Sequence, residues 1–134
     1  MNAFIVELKN QPGELARATE SIAQKGINLL GFTGATCGDS GRIVLLTDDD
    51  AVAKRALGDA GFQPREVELV VARLADRPGS LAETARRLAD AGINIEAALP
   101  TGMDGGKVSV AFVTDNPSKA RQIIDERVAV GAPR

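Results

Sequence analysis

The chain has 134 residues, room for one ordinary domain or two small ones, and its 44% hydrophobic and 25% charged content is that of a globular protein. A net charge of −2 leaves no basic field for a phosphate backbone, so nucleic acid is not an expected partner. One cysteine and no histidine, tryptophan or tyrosine exclude an internal disulfide, remove the commonest general base and metal ligand, and point away from an enzyme.

In chain order, Ala3–Leu8 ("AFIVEL") is short, apolar and β-branched, and reads as a strand. The opening residues carry no basic leader, and no apolar run approaches the ~20 residues of a membrane span, so a soluble, cytoplasmic protein without a membrane partner is expected. Pro12–Lys25 places Leu15, Thr19, Ile22, Ala23 and Gly26 at helical spacing. Proline suits a first helical turn, where its missing N–H would be unpaired anyway. Gly26 stands where a helix ends in a left-handed residue. Asn28–Thr36 and Arg42–Thr47 read as a hairpin across "GATCGDSG". "TDDD" at Thr47–Asp50 reads as a cap for the next helix, with Val52, Ala56 and Leu57 inward, rather than as a metal site. Glu66–Leu74 follows as a long strand.

The same order then recurs. Leu69–Leu74 is a strand and Pro78–Ala91 a helix with Leu81, Ala85 and Leu88 on its apolar face and Gly92 at its end. Asn94–Leu99 and Lys107–Thr114 make a hairpin across "PTGMDGG". "GMDGGK" in that turn is not a phosphate loop: Thr101 stands where the first glycine belongs, and Val108 where Ser or Thr belongs. Pro117–Glu126 is a helix capped by Asn116, and Arg127–Val130 a short last strand.

Pro12 and Pro78 lie 66 positions apart, and eight of the 21 positions in 10–30 are identical in 76–96, so the chain is an internal duplication. The fold expected is α+β: two ferredoxin-like βαββαβ units in tandem, residues 1–68 and 69–134, with four-stranded antiparallel sheets and helices packed on one face. The stretch "EVELVVARL" belongs to both copies without a Gly, Pro or Ser linker, so a continuous or kinked strand should fuse them.

Function has to come from residues, because many families share this order. An RNA-recognition module would need aromatic platforms, and the four phenylalanines do not cluster in sequence as such a surface requires. A metal carrier would need Cys-x-x-Cys. What remains is the doubled turn, "NQPGEL" and "DRPGSL". A helix start carries free N–H groups and partial positive charge, and glycine admits a ligand close to the backbone. Two readings stand: Asn10 and Asp76 cap the helices through Asx-type turns, or the amides wait for a ligand.

At "PG-x-L-A" opening the first helix and "G-I-N-[LI]" entering the second strand, both present twice, the chain resembles the ACT domain family. The resemblance covers nearly the whole chain and is to a stand-alone tandem ACT protein with no attached catalytic domain. It implies regulatory modules that pair side by side and bind amino acids or similar small ligands, with no cofactor and no metal. It further implies a partner enzyme or homodimer. Carried over residue by residue, one site has Asn10, Gln11, Gly13 and Glu14 facing Asn94 and Ile95; the other has Asp76, Arg77, Gly79 and Ser80 facing Asn28 and Leu29. Amides near Gly13 or Gly79 would take a ligand's carboxylate, and Asp76 or the Asn28 and Asn94 carbonyls its ammonium. The turns differ in charge, so unequal sites are expected, the Asp76 turn the stronger. The expected function is non-catalytic amino-acid sensing; the alternative is an assembly module that has lost its ligand.

Overall fold

The computed structural model describes residues 1–129. The chain divides into two compact units, an N-terminal one of Asn2–Val67 and a C-terminal one that runs from Glu68 and takes in Met1.

The N-terminal unit is built from β1 (Asn2–Lys9), α1 (Glu14–Ala23), β2 (Leu29–Cys37), β3 (Ser40–Thr47), α2 (Asp50–Asp59) and β4 (Arg65–Glu68), with sheet order β2-β3-β1-β4. β3 pairs antiparallel with both neighbours, so Phe4 and Phe32 flank Leu45, and Val6 and Gly34 flank Ile43. That face carries the core: Phe4, Val6, Ile43, Leu45 and Phe62 pack with Ala18 and Ile22 of α1 and Ala53 and Leu57 of α2. Side chains on the other face, Ala3, Ile5, Val44 and Leu46, are buried too.

Both expected helix caps of the aspartate run and its counterpart are present. Asp49 accepts from the Val52 N–H at 3.2 Å, and Asn116 accepts from the Lys119 N–H at 3.1 Å. Asp50 instead takes the Thr47 hydroxyl at 3.2 Å. α1 ends in a Schellman motif: Gly26 has φ 73°, and the Ile27 N–H reaches back to the Ile22 carbonyl at 3.4 Å.

The C-terminal unit repeats the plan with β5 (Val70–Ala75), α3 (Ser80–Asp90), β6 (Ile95–Asp104), β7 (Lys107–Thr114) and α4 (Pro117–Ala129), in the order β5-β7-β6. α3 closes as α1 does, with Gly92 at φ 76° and the Ile93 N–H on the Leu88 carbonyl at 2.9 Å. Gly105 and Gly106, at φ 55° and 77°, form the two-residue turn between β6 and β7, the hairpin expected there.

Three expectations are corrected. The last strand is not where the sequence suggested: Arg127–Ala129 belong to α4, and Val130 lies outside the described residues. The C-terminal sheet accordingly has three strands among the described residues. The shared strand is interrupted: β4 and β5 are separated by Leu69, whose N–H donates to the Met1 carbonyl at 2.8 Å. The inward stripe of both first helices keeps Ile22 and Leu88 as expected but is displaced by one position in the first two turns. α1 buries Glu14, Ala18 and Ile22, and α3 buries Ser80, Thr84 and Leu88, leaving Leu15 51% and Leu81 53% exposed. A four-residue repeat is the helix's own near-period. In α1 it is open to a carboxylate because Glu14 finds donors inside.

Candidate functional site

The two Pro-Gly turns are the same turn made twice. Gly13 has φ 89° and ψ −11°, and Gly79 has φ 91° and ψ −14°; both are left-handed, where a Cβ would be strained. The Arg17 N–H donates to the Gly13 carbonyl at 2.9 Å, and Glu83 to Gly79 at 2.9 Å. Gln11 donates to Lys9 at 3.0 Å, and Arg77 to Ala75 at 2.9 Å. Asn10 and Asp76 each donate a backbone N–H across to their own unit's hairpin, to the Asp39 carbonyl at 2.8 Å and the Gly106 carbonyl at 2.9 Å.

Neither helix start has a side-chain cap, so the Asx-type cap considered from the sequence is not the one the structure adopts. Asn10 turns away and donates its amide to the Gly38 carbonyl at 2.8 Å, holding the turn against the β2–β3 hairpin. The first N–H groups of α1 and α3 are thereby left without a side-chain acceptor, the condition under which a helix start receives an anion.

Side chains distinguish the turns. Glu14 is 7% exposed; its carboxylate accepts from the Lys9 N–H at 3.3 Å and from Arg17 Nε and Nη2 at 3.1 and 3.0 Å. Arg17 also donates to the Ala60 carbonyl and lies over the Phe62 ring, 4.0 Å from its centroid, tying α1 to the loop after α2. In the C-terminal turn the matching residue is Ser80, 3% exposed, whose hydroxyl is buried with no hydrogen-bond partner. Arg77 folds over its own helix start, donating to the Pro78 carbonyl at 3.3 Å and lying 3.5 Å from Glu83.

The strand half of each expected set sits elsewhere in its unit. Asn28 and Leu29 follow α1, and Asn94 and Ile95 follow α3, so within a unit the helix separates them from the turn; its ten or eleven residues span roughly 15 Å. The Asn28 N–H donates to Asp48 Oδ1 at 3.0 Å while its carbonyl accepts from the Asp48 N–H at 3.1 Å. Asn94 makes the same pair of bonds with Asp115, at 3.0 and 3.1 Å. The carbonyls expected to meet an ammonium therefore each hold a donor already. Leu29 and Ile95 pack against their own cores.

A groove of about 390 Å³ opens beside the N-terminal turn. Asn10, Gln11 and Glu14 line it, joined by residues the sequence reading did not assign to a site: Leu15, Phe32, Gly34 and Gly41. Leu15 has the hydropathy of a core residue and the glycines border a turn; the β2–β3 register puts Phe32, Gly34 and Gly41 on one face. Among the described residues, no group of His, Cys, Asp and Glu could hold a metal ion, and no helix is long and apolar enough to cross a membrane.

Residues 67–131 match the ACT domain family. No curated protein sequence matches the chain significantly. Among solved structures, protein BT0572 from Bacteroides thetaiotaomicron is similar at 25% identity and a TM-score of 0.81, covering 94% of this chain and 87% of that one. The ligand-free regulatory subunit of aspartate kinase from Thermus thermophilus is similar at 20% identity and 0.63, over 93% and 89% of the two chains. A structure of aspartokinase alpha and beta subunits gives 19% and 0.67, over 96% and 93%. The last two likenesses speak for the fold alone. Through residues 67–131 the chain is thus similar to the ACT domain family, and its N-terminal unit repeats the same turn with the same backbone bonds.

Proposed function

We propose that the protein is a non-catalytic regulatory module that binds an amino acid at its Pro-Gly turns. The observation that carries this reading is the pair of helix starts with left-handed glycine and no side-chain cap, repeated at equivalent positions. Free N–H groups at a helix start match a carboxylate, and the match of residues 67–131 to the ACT domain family supports a regulatory rather than a catalytic role. Each turn supplies the carboxylate-binding half of a site. Binding would favour one conformation of the chain and so bias a partner enzyme or a second copy.

Calorimetry and thermal melts of the full chain against each of the twenty amino acids test this. A saturable heat and a rise in Tm with at least one are expected; no response to any would remove amino acids as the ligand.

A second reading, an assembly module without a ligand, is favoured by the exposed apolar side chains Leu15, Leu30, Phe32, Leu81 and Met103. A dimer that forms without any amino acid and persists in Gly13→Ala and Gly79→Ala would support it over the first.

A further inference from the structure

The groove beside the N-terminal turn is divided in its chemistry. Its floor is set by the β2–β3 register, which places Phe32 opposite Leu45, Gly34 opposite Ile43 and Thr36 opposite Gly41, on the face that α1 covers further along. Two of those floor positions are glycines, and neither tolerates a side chain. A Cβ on Gly41 would lie 2.6 Å from the Ala35 carbonyl oxygen, and one on Gly34 2.9 Å from that of Arg42. The close strand approach that forbids side chains there also leaves the floor open. Phe32, 63% exposed, and Leu15, 51% exposed, form apolar walls. At one end stands the uncapped start of α1, with Asn10 and Gln11 beside it.

The C-terminal unit is the internal comparison. At the matching register positions it has Ala98 opposite Phe112, Pro100 opposite Val110 and Met103 opposite Val108. Pro100 thus replaces Gly34, Val108 replaces Gly41 and Ala98 replaces Phe32. That unit has the turn without the glycine floor and without the aromatic wall.

We infer that the N-terminal turn takes an amino acid with a bulky apolar side chain, the side chain lying in the groove over Gly34 and Gly41 between Leu15 and Phe32. This rests on the reading that the turns bind amino acids, and specifies which class. The volume is at the small end for a ligand site, enough for a leucine- or phenylalanine-sized molecule. A carboxylate belongs at the end with the uncapped helix start, and an apolar group at the end with Phe32 and Leu15; an apolar α-amino acid has that polarity along its length. A polar side chain would lose its water there with only the Thr36 hydroxyl near it. The order of the two turns is then the reverse of the one expected from charge, with the N-terminal turn the selective site.

Backbone amide NMR of the full chain tests this, titrating L-leucine, L-phenylalanine, L-serine, L-aspartate and L-lysine separately. Leucine or phenylalanine should move the Gly13, Gly34 and Gly41 amides together, with the polar three at least roughly tenfold weaker. Phe32→Ala changes an exposed side chain and should weaken the apolar ligand about tenfold while leaving the other resonances in place. Serine, aspartate or lysine binding at Gly13 as tightly as leucine would overturn the inference and leave the proposed function standing. So would shifts confined to Gly79. Shifts at Leu15 and Phe32 that grow with protein concentration alone would give the groove to a second copy and overturn it. If no amino acid moves either turn, the proposed function and the inference fall together.

Discussion

Ser80 and Glu14 occupy one position in two copies and meet opposite fates. Glu14 is buried as a carboxylate because three donors surround it; Ser80 is buried with its hydroxyl unanswered. An unpartnered buried hydroxyl carries its desolvation cost without return, so Ser80→Ala should be neutral or raise stability by up to ~1 kcal/mol in urea unfolding. A loss of more than that would mean the hydroxyl has a partner in solution. Arg17→Ala should act the other way. It leaves Glu14 with the 3.3 Å Lys9 bond and removes the contact to Phe62, and should cost ~1–3 kcal/mol in the same measurement. Because Arg17 is itself half exposed, the lower end of that range is expected. Thr114 shows the same logic. Its counterpart Thr47 donates to Asp50, but Pro117 stands at the position matching Asp50, and the Thr114 hydroxyl is left buried without a partner.

At the scale of elements, glycines divide sharply by conformation. Gly13→Ala and Gly79→Ala each place a Cβ at φ near 90° with open space around it, so the cost should be backbone strain alone, about 1–2 kcal/mol. Gly41→Ala meets the Ala35 carbonyl and the Thr36 side chain and should cost more than either. Gly58 lies inside α2 with nothing near its missing Cβ, and Gly58→Ala should stabilise by ~0.5–1 kcal/mol. Chemical denaturation of the four variants side by side checks the ranking.

Elements are also where sequence and structure can be weighed. Duplication, the order of elements through the second hairpin, a cap in the aspartate run and at Asn116 and the left-handed ends at Gly26 and Gly92 were legible, because each has a local cause: a repeat, an oxygen at a helix start, a glycine at a helix end. The inward stripe of α1 was not. Leu15 looks like core on hydropathy, and nothing local reveals that Arg17 and the Lys9 N–H make room for Glu14 inside. The groove was illegible for a similar reason: Phe32, Gly34 and Gly41 share a face only through a register set across the hairpin. Of the expected ligand residues, the structure brings the turn residues together and shows the Asn28 and Asn94 backbones already engaged, which local spacing could not have disclosed.

For the whole molecule, a ligand that binds only the folded chain adds stability by mass action, about 2.7 kcal/mol at a hundredfold excess over Kd. A melt series in leucine should therefore rise with concentration in the wild type and flatten in Phe32→Ala. The side-chain difference between the two turns has a consequence beyond binding. Two descendants of one ancestral segment have kept every backbone bond of the bend while exchanging Glu14 for Ser80 and Arg17 for Glu83. The bend is a socket with interchangeable fittings. Residues 14–17 and 80–83 could be traded between the copies with the bend intact, and the apolar selectivity should stay behind with Phe32, Gly34 and Gly41.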